Sequence, residues 1–134
     1  KNVLFFDMGT CITMNFLDSR GSFIGGNISP GIRMRLKAMH KFTDRLPMVP
    51  MEIPEEVIGK DTVKAMQNGG IKGAFREMES FIDEIMTNFG EIVIILTGGD
   101  ANLFENYTKS MIFVAPYLVL QGLNEILKYN VNKN

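Results

Sequence analysis

Two short segments hold the residues best suited to chemistry on a phosphorylated ligand. In Asp7-Met8-Gly9-Thr10 a carboxylate and a hydroxyl flank a glycine at the end of the apolar run Val3 to Phe6. Glycine there permits a tight turn, backbone N–H groups can meet phosphate oxygens, and the threonine hydroxyl adds one more donor. An ordinary hairpin tip carries the same residues, so the segment reads either as a phosphate cradle or as a plain turn. Thr97-Gly98-Gly99 follows a second apolar run, Glu91 to Leu96, and precedes a helical pattern. Sheets with helical crossovers bind ligands at such strand ends, and residues without side chains let a base or ribose approach the backbone. The alternative is a plain strand-to-helix turn.

Single positions exclude two related chemistries. Aspartic proteases place Asp-Thr-Gly after an apolar strand, whereas here Met8 separates Asp7 from Gly9. Phosphatases with an aspartate nucleophile need a second acid two residues on, and position 9 is Gly. Gly59-Lys60-Asp61-Thr62 lacks the spaced upstream glycine of a nucleotide-binding Walker loop and reads by itself as a helix cap. His40 has no second histidine or cysteine at ligand spacing, and Cys11 has no activating base nearby in sequence. Glu55, Glu56, Glu77 and Glu79 read as solvated charges, and the ten methionines as core filler.

These segments need a framework. The chain has 134 residues, 46% of them hydrophobic and 22% charged, which suits one globular domain. Its formal charge of -1 offers no field for a polyanion or an anionic membrane, so nucleic acid and membrane partners are not expected. A single cysteine cannot form an internal disulfide, which makes a reducing compartment such as the cytosol the expected one. Val3 to Asp7, Ile12 to Asp18 and Ser22 to Ile28 read as three strands, with Gly25-Gly26 marking a bulge or a close backbone approach. Ser29-Pro30 reads as a helix cap and first helical residue, ahead of the apolar stripe Ile32, Leu36, Met39. Three prolines make Leu46 to Pro54 a loop.

A long helical pattern then places Val63, Met66, Phe75, Met78, Ile82, Ile85 and Phe89 on one face. Gly69, Gly70 and Gly73 weaken it by about 1 kcal/mol each, so either another backbone packs close, as at a self-association surface, or the helix breaks there. Glu91 to Leu96 suits a buried central strand, and a helix should start near Asp100. Met111 to Ala115 reads as a last strand and Pro116 to Tyr129 as a closing helix, with Leu120, Leu123 and Leu127 along its apolar face. The order gives an α/β fold: a mixed sheet of three antiparallel strands followed by helices and two further strands.

Taken in order, Asp7-Met8-Gly9-Thr10, Gly25-Gly26-Asn27-Ile28-Ser29-Pro30-Gly31, Leu46-Pro47, Gly59-Lys60-Asp61-Thr62, Thr97-Gly98-Gly99 and Leu120-Gln121-Gly122-Leu123 resemble type III pantothenate kinase. The resemblance covers the whole chain but only the C-terminal half of that family. It implies that residues 1–134 are the C-terminal ribonuclease-H-like, or actin-like ATPase, domain of a two-domain kinase whose N-terminal domain is absent from this chain. Lys1 and Asn2 lead straight into an apolar run without an initiator Met, which also reads as a fragment.

The activity implied is ATP-dependent phosphorylation of pantothenate to 4′-phosphopantothenate, the first step of coenzyme A biosynthesis, in a cytoplasmic homodimer. The resemblance implies ATP with Mg2+ and a monovalent cation, K+ or NH4+. By position, Asp7 matches the cation ligand, Gly9 and Thr10 the ATP phosphate contact, Thr97, Gly98 and Gly99 the adenosine motif, and Thr62 a pantothenate contact. No residue here matches the family's first phosphate motif or its general-base aspartate, which lie in the N-terminal half, so the fragment alone is expected to be inactive. Met8 and Cys11 replace smaller residues without removing a donor. The alternative from another class is a noncatalytic actin-like module for nucleotide binding or dimerisation.

Overall fold

A computed structural model describes residues 1–133. Period-two alternation builds the first hairpin, β1 (Asn2–Met8) and β2 (Cys11–Leu17), with Phe6 opposite Met14. Leu4, Phe6 and Met8 of one strand and Ile12, Met14 and Phe16 of the other are buried on one shared face. β3 (Phe23–Pro30) pairs antiparallel with β2, and its register shifts between Phe16 and Leu17. Gly26 sits so close to β2 that a Cβ would overlap the Met14 carbonyl, which is the close approach that the glycine pair implied. β4 (Ile92–Thr97) adds parallel to the other side of β1, and β5 (Ile112–Val114) parallel to β4. The result is one mixed five-stranded sheet, ordered β3-β2-β1-β4-β5.

Three helical segments supply the rest of the core: α1 (Ile32–Lys41), α2 (Thr62–Gln67) and α3 (Gly73–Phe89). Ile32 and Leu36 of α1, Met66 of α2, and Phe75, Met78 and Ile82 of α3 are buried with the inward strand residues. Val63 and Phe89, at the ends of the expected stripe, stay exposed. The glycine cluster does not break the helix, because a single π turn (Asn68–Lys72) joins α2 to α3. Gly70 is buried there, and a Cβ on it would lie 2.6 Å from Leu36 Cδ2, so its close packing is against α1 of the same chain.

The end of α2 and the π turn also hold the segment that precedes α2. Gln67 Nε2 donates to the Pro50 carbonyl (2.9 Å), and the buried Lys72 Nζ donates to the Glu56 carbonyl (2.9 Å).

One element departs from the sequence reading, while the two later helices form where it places them. Ser29 and Pro30 do not open a helix: they end β3, registered with Ile12 and Cys11, and Gly31 becomes the residue before α1. Strand pairing has overridden a local cap signal. The turn after β4 starts a short helix, α4 (Ala101–Glu105), whose Phe104 packs on Phe75 at 5.5 Å between ring centroids. The closing helix, α5 (Leu118–Val131), forms but buries nothing, and Leu120, Leu123 and Leu127 are all exposed. Among the described residues, no helix is long and apolar enough to cross a membrane.

Candidate functional site

The two segments that opened the sequence reading meet at one end of the sheet. β1 and β4 run parallel in a register that sets Asp7 beside Thr97, so segments ninety positions apart leave the sheet together. What lets them touch is Gly98. Its φ is +91°, a conformation that side-chain-bearing residues rarely adopt, and a Cβ would lie 2.6 Å from Asp7 Oδ1, Met8 N and Met8 O alike. The following residue but one locks the junction, since Asp100 N–H donates to the Met8 carbonyl at 3.0 Å.

The hairpin tip is tied down from the other side. Gly31 N–H donates to the Thr10 carbonyl at 3.0 Å, and any Cβ on Gly31 would overlap the Gly9 and Thr10 carbonyls. The start of α1 is therefore pressed against the tip. Gly9 N–H closes the turn onto the Cys11 carbonyl (3.0 Å), so that donor is committed within the turn. Gly9 and Thr10 are nevertheless both exposed.

These contacts leave a cleft of about 640 Å³, with Met8, Gly9 and Thr10 on one side, Gly99 and Asp100 beside them, and α1 as the facing wall. A volume of this size is in the range of small-ligand sites. The wall carries three basic side chains, Arg33, Lys37 and Lys41. Sequence reading missed this row, although it is visible once α1 is placed, because residues four apart share one side of a helix. Thr97 and Gly98 lie behind the cleft surface, with Thr97 buried. Of the Thr-Gly-Gly segment, Gly99 reaches the lining.

Thr62 stands elsewhere. It is the exposed first residue of α2, outside the cleft lining, and the neighbouring Asp61 acts as the cap expected of this segment, its Oδ1 accepting from Lys64 N–H at 2.8 Å. Glu56 is not simply solvated: it pairs with Lys64 Nζ at 3.0 Å, and a hydrogen bond from its own backbone N–H, followed by the Lys64 contact, holds its carboxyl below the ordinary value. Glu77 is also no bare surface charge. It accepts from Arg35 at 2.7 Å, and Arg35 also donates to the Pro30 carbonyl at 2.8 Å, so α3, α1 and the end of β3 are joined beside the tip. Burial pushes the Glu77 carboxyl up, but hydrogen bonds from Ser29 and Arg35 outweigh it and hold the group below its ordinary value. His40 Nδ1 is 2.7 Å from the Leu46 carbonyl, a structural partner.

The site's donor chemistry also bears on cations. No group of three or more His, Cys, Asp or Glu residues converges among the described residues. At the strand ends Asp7 Oδ1 and the Met8 carbonyl both lie against Gly98, the carbonyl also accepting from Asp100 N–H. Hard oxygen donors of this kind suit a hard cation rather than zinc or copper.

The family model for type III pantothenate kinase matches residues 1–84. A type III pantothenate kinase of Bacteroides fragilis is 48% identical over 130 residues, 97% of this chain and 54% of that protein. One from Cytophaga hutchinsonii is 45% identical over 97% of this chain and 55% of its own length, and one from Flavobacterium johnsoniae 38% identical over 100% and 55%. The chain thus spans about half the length of the curated relatives it matches. Among solved structures, a conserved Baf family protein from Campylobacter jejuni superposes with a TM-score of 0.70 over 98% of this chain and 59% of that one, at 24% identity, a likeness of fold.

Proposed function

The chain belongs to the type III pantothenate kinase family, and we propose that it works in the ATP-dependent phosphorylation of pantothenate to 4′-phosphopantothenate, the first step of coenzyme A biosynthesis. In this reading residues 1–134 are the C-terminal, ribonuclease-H-like domain of a two-domain kinase of the actin-like superfamily. The sheet order β3-β2-β1-β4-β5, with three antiparallel strands followed by two parallel ones, supports that assignment. The observation that carries the functional reading is the junction at Gly98, where the Asp7 carboxylate packs against the glycine turn directly behind the residues that line the cleft, Met8, Gly9 and Thr10 from one strand end and Gly99 from the other.

Within that cleft, Gly9 and Thr10 receive the ATP phosphates, with the Thr10 N–H and hydroxyl as donors. Gly99, with Thr97 and Gly98 behind it, lets the adenosine lie against backbone. Asp7 Oδ1 and the Met8 carbonyl are the oxygens available to a monovalent cation, K+ or NH4+, and Mg2+ accompanies ATP. Bound cations of this kind neutralise phosphate charge. Thr62 contacts pantothenate. The acceptor hydroxyl attacks the γ-phosphorus, the bond to the bridging oxygen of ADP breaks, and the hydroxyl proton passes to a base. That base is an aspartate of the N-terminal domain, which with a second phosphate loop closes the other side of the phosphate chain. Phosphoryl transfer needs both sides, because its catalysis is positioning and charge stabilisation. A cytoplasmic homodimer completes the proposal.

The test is phosphoryl transfer itself. The chain, combined with the N-terminal half of the Bacteroides fragilis relative, should convert pantothenate and ATP to 4′-phosphopantothenate, read by mass spectrometry, while neither half alone does so. Absence of product from a demonstrably associated pair would overturn the reading.

A further inference from the structure

The basic wall of the cleft has no role in the reading above. α1 contains Arg33, Arg35, Lys37 and Lys41 and no acidic residue. Arg35 is answered by Glu77. Arg33, Lys37 and Lys41 are exposed and enter no ion pair among the described residues, where the ion pairs involve Lys1, Arg20, Arg35, Lys64 and Lys128. Like charges four residues apart on a helix repel. The row therefore works against the helix that carries it, in a chain whose overall charge is -1. All three side chains line the cleft, where the single acidic lining residue is Asp100.

We propose that Arg33, Lys37 and Lys41 form the counter-charge wall for the polyphosphate of a nucleoside triphosphate, so that α1 makes the cleft select for phosphate number. The proposal rests on the nucleotide reading of this cleft. Two features of the geometry point to a polyphosphate rather than a single anion. The row spans about 12 Å at 1.5 Å per residue, a length for a chain of charges and not for one carboxylate. It also begins at the end of α1 that is tied to Thr10, through the Gly31 N–H bond to the Thr10 carbonyl, so phosphates received at the hairpin tip continue onto the wall. Met34, Ala38 and Phe42 line the same cleft, giving an apolar flank that a nucleoside uses and a bare polyphosphate does not.

Calorimetric titration of the chain with ATP, adenosine, inorganic tripolyphosphate and pantothenate tests this. The unaltered chain should bind ATP more tightly than adenosine, with the difference shrinking as salt rises. Lys37→Gln and Lys41→Gln should each weaken ATP about three- to tenfold, the range between an exposed and a charge-assisted contact, and leave adenosine within about twofold. Lys37→Arg should retain most of the ATP affinity, and tripolyphosphate should follow ATP in its response. Four results overturn the proposal: no ATP binding by the unaltered chain, a folded Lys37→Gln/Lys41→Gln double variant with unchanged ATP affinity, equal losses for ATP and adenosine, or a loss confined to pantothenate. Failure of the kinase reading looks different: the substitutions would still weaken ATP and spare adenosine, while the assembled halves would form no 4′-phosphopantothenate.

Discussion

Replacing Gly98 by alanine should damage the junction on which the candidate site depends. The residue sits at φ +91°, where an L side chain costs about 1–2 kcal/mol in backbone conformation alone. The added methyl carbon would lie 2.6 Å from Asp7 Oδ1, Met8 N and Met8 O. Two of these three atoms belong to the backbone of a central strand, so the neighbours cannot rotate away, and overpacking of this kind adds about 1–3 kcal/mol. The total comes to about 3 kcal/mol. For a chain of this size each kcal/mol lowers the melting temperature by about 4 °C, so Gly98→Ala should melt about 12 °C lower. Circular dichroism during thermal and urea unfolding measures both quantities. Gly99→Ala is the internal control, because it has ordinary φ and no atom within 4 Å of a built Cβ, and it should stay within about 0.5 kcal/mol of the parent. A Gly98→Ala chain as stable as the parent, or a Gly99→Ala chain equally damaged, would refute the account of how β1 and β4 are held together.

Three further predictions address other parts of the account. Glu77 has a folded pKa below its ordinary value near 4.5, so its contribution is present above that pH and is lost as pH falls through the lower folded value. Glu77→Gln should cost about 1 kcal/mol at neutral pH, with the difference from the parent shrinking as the pH falls below the ordinary glutamate value in urea titrations; a constant difference would remove the ion pair from the explanation. In the assembled enzyme, Asp7→Asn should weaken activation by potassium or ammonium, and an unchanged cation dependence with normal folding would remove Asp7 from that role. Thr62→Val deletes a hydroxyl while keeping shape, so it should raise KM for pantothenate and leave that for ATP; a change in the ATP value alone would reverse the assignment.

Much of this architecture was legible in the residues. The alternation of Leu4, Phe6 and Met8 against Ile12, Met14 and Phe16 specifies both strands and their buried face, and the run Ile92 to Leu96 is long enough for a central strand and no more. What failed was information that sits far away in sequence. Ser29-Pro30 looks like a helix start until pairing with Ile12 and Cys11 claims it for the sheet. Glu77 looks solvated until Arg35, 42 residues earlier, is beside it. The stripe Leu120, Leu123, Leu127 defines a helix correctly, yet periodicity does not say what covers the face, and here it is exposed. The candidate site divides in the same way. Its glycines and threonines stand out locally, whereas the approach of Asp7 to Gly98 depends on a parallel register, and the basic row of α1 emerges when that helix forms a wall of the cleft.

The central claim, that the cleft between the hairpin tip, Gly99 and α1 receives ATP, is tested most directly by following backbone amide resonances of the isotopically labelled chain during titration with ATP. The account predicts saturable shifts at Gly9, Thr10, Gly99 and Asp100 and along α1 from Arg33 to Lys41, with β3 residues Phe23 to Ile28 unmoved. Saturable shifts confined to another surface, such as α5 or the Glu52 to Glu56 loop, or no shifts at all, would contradict it.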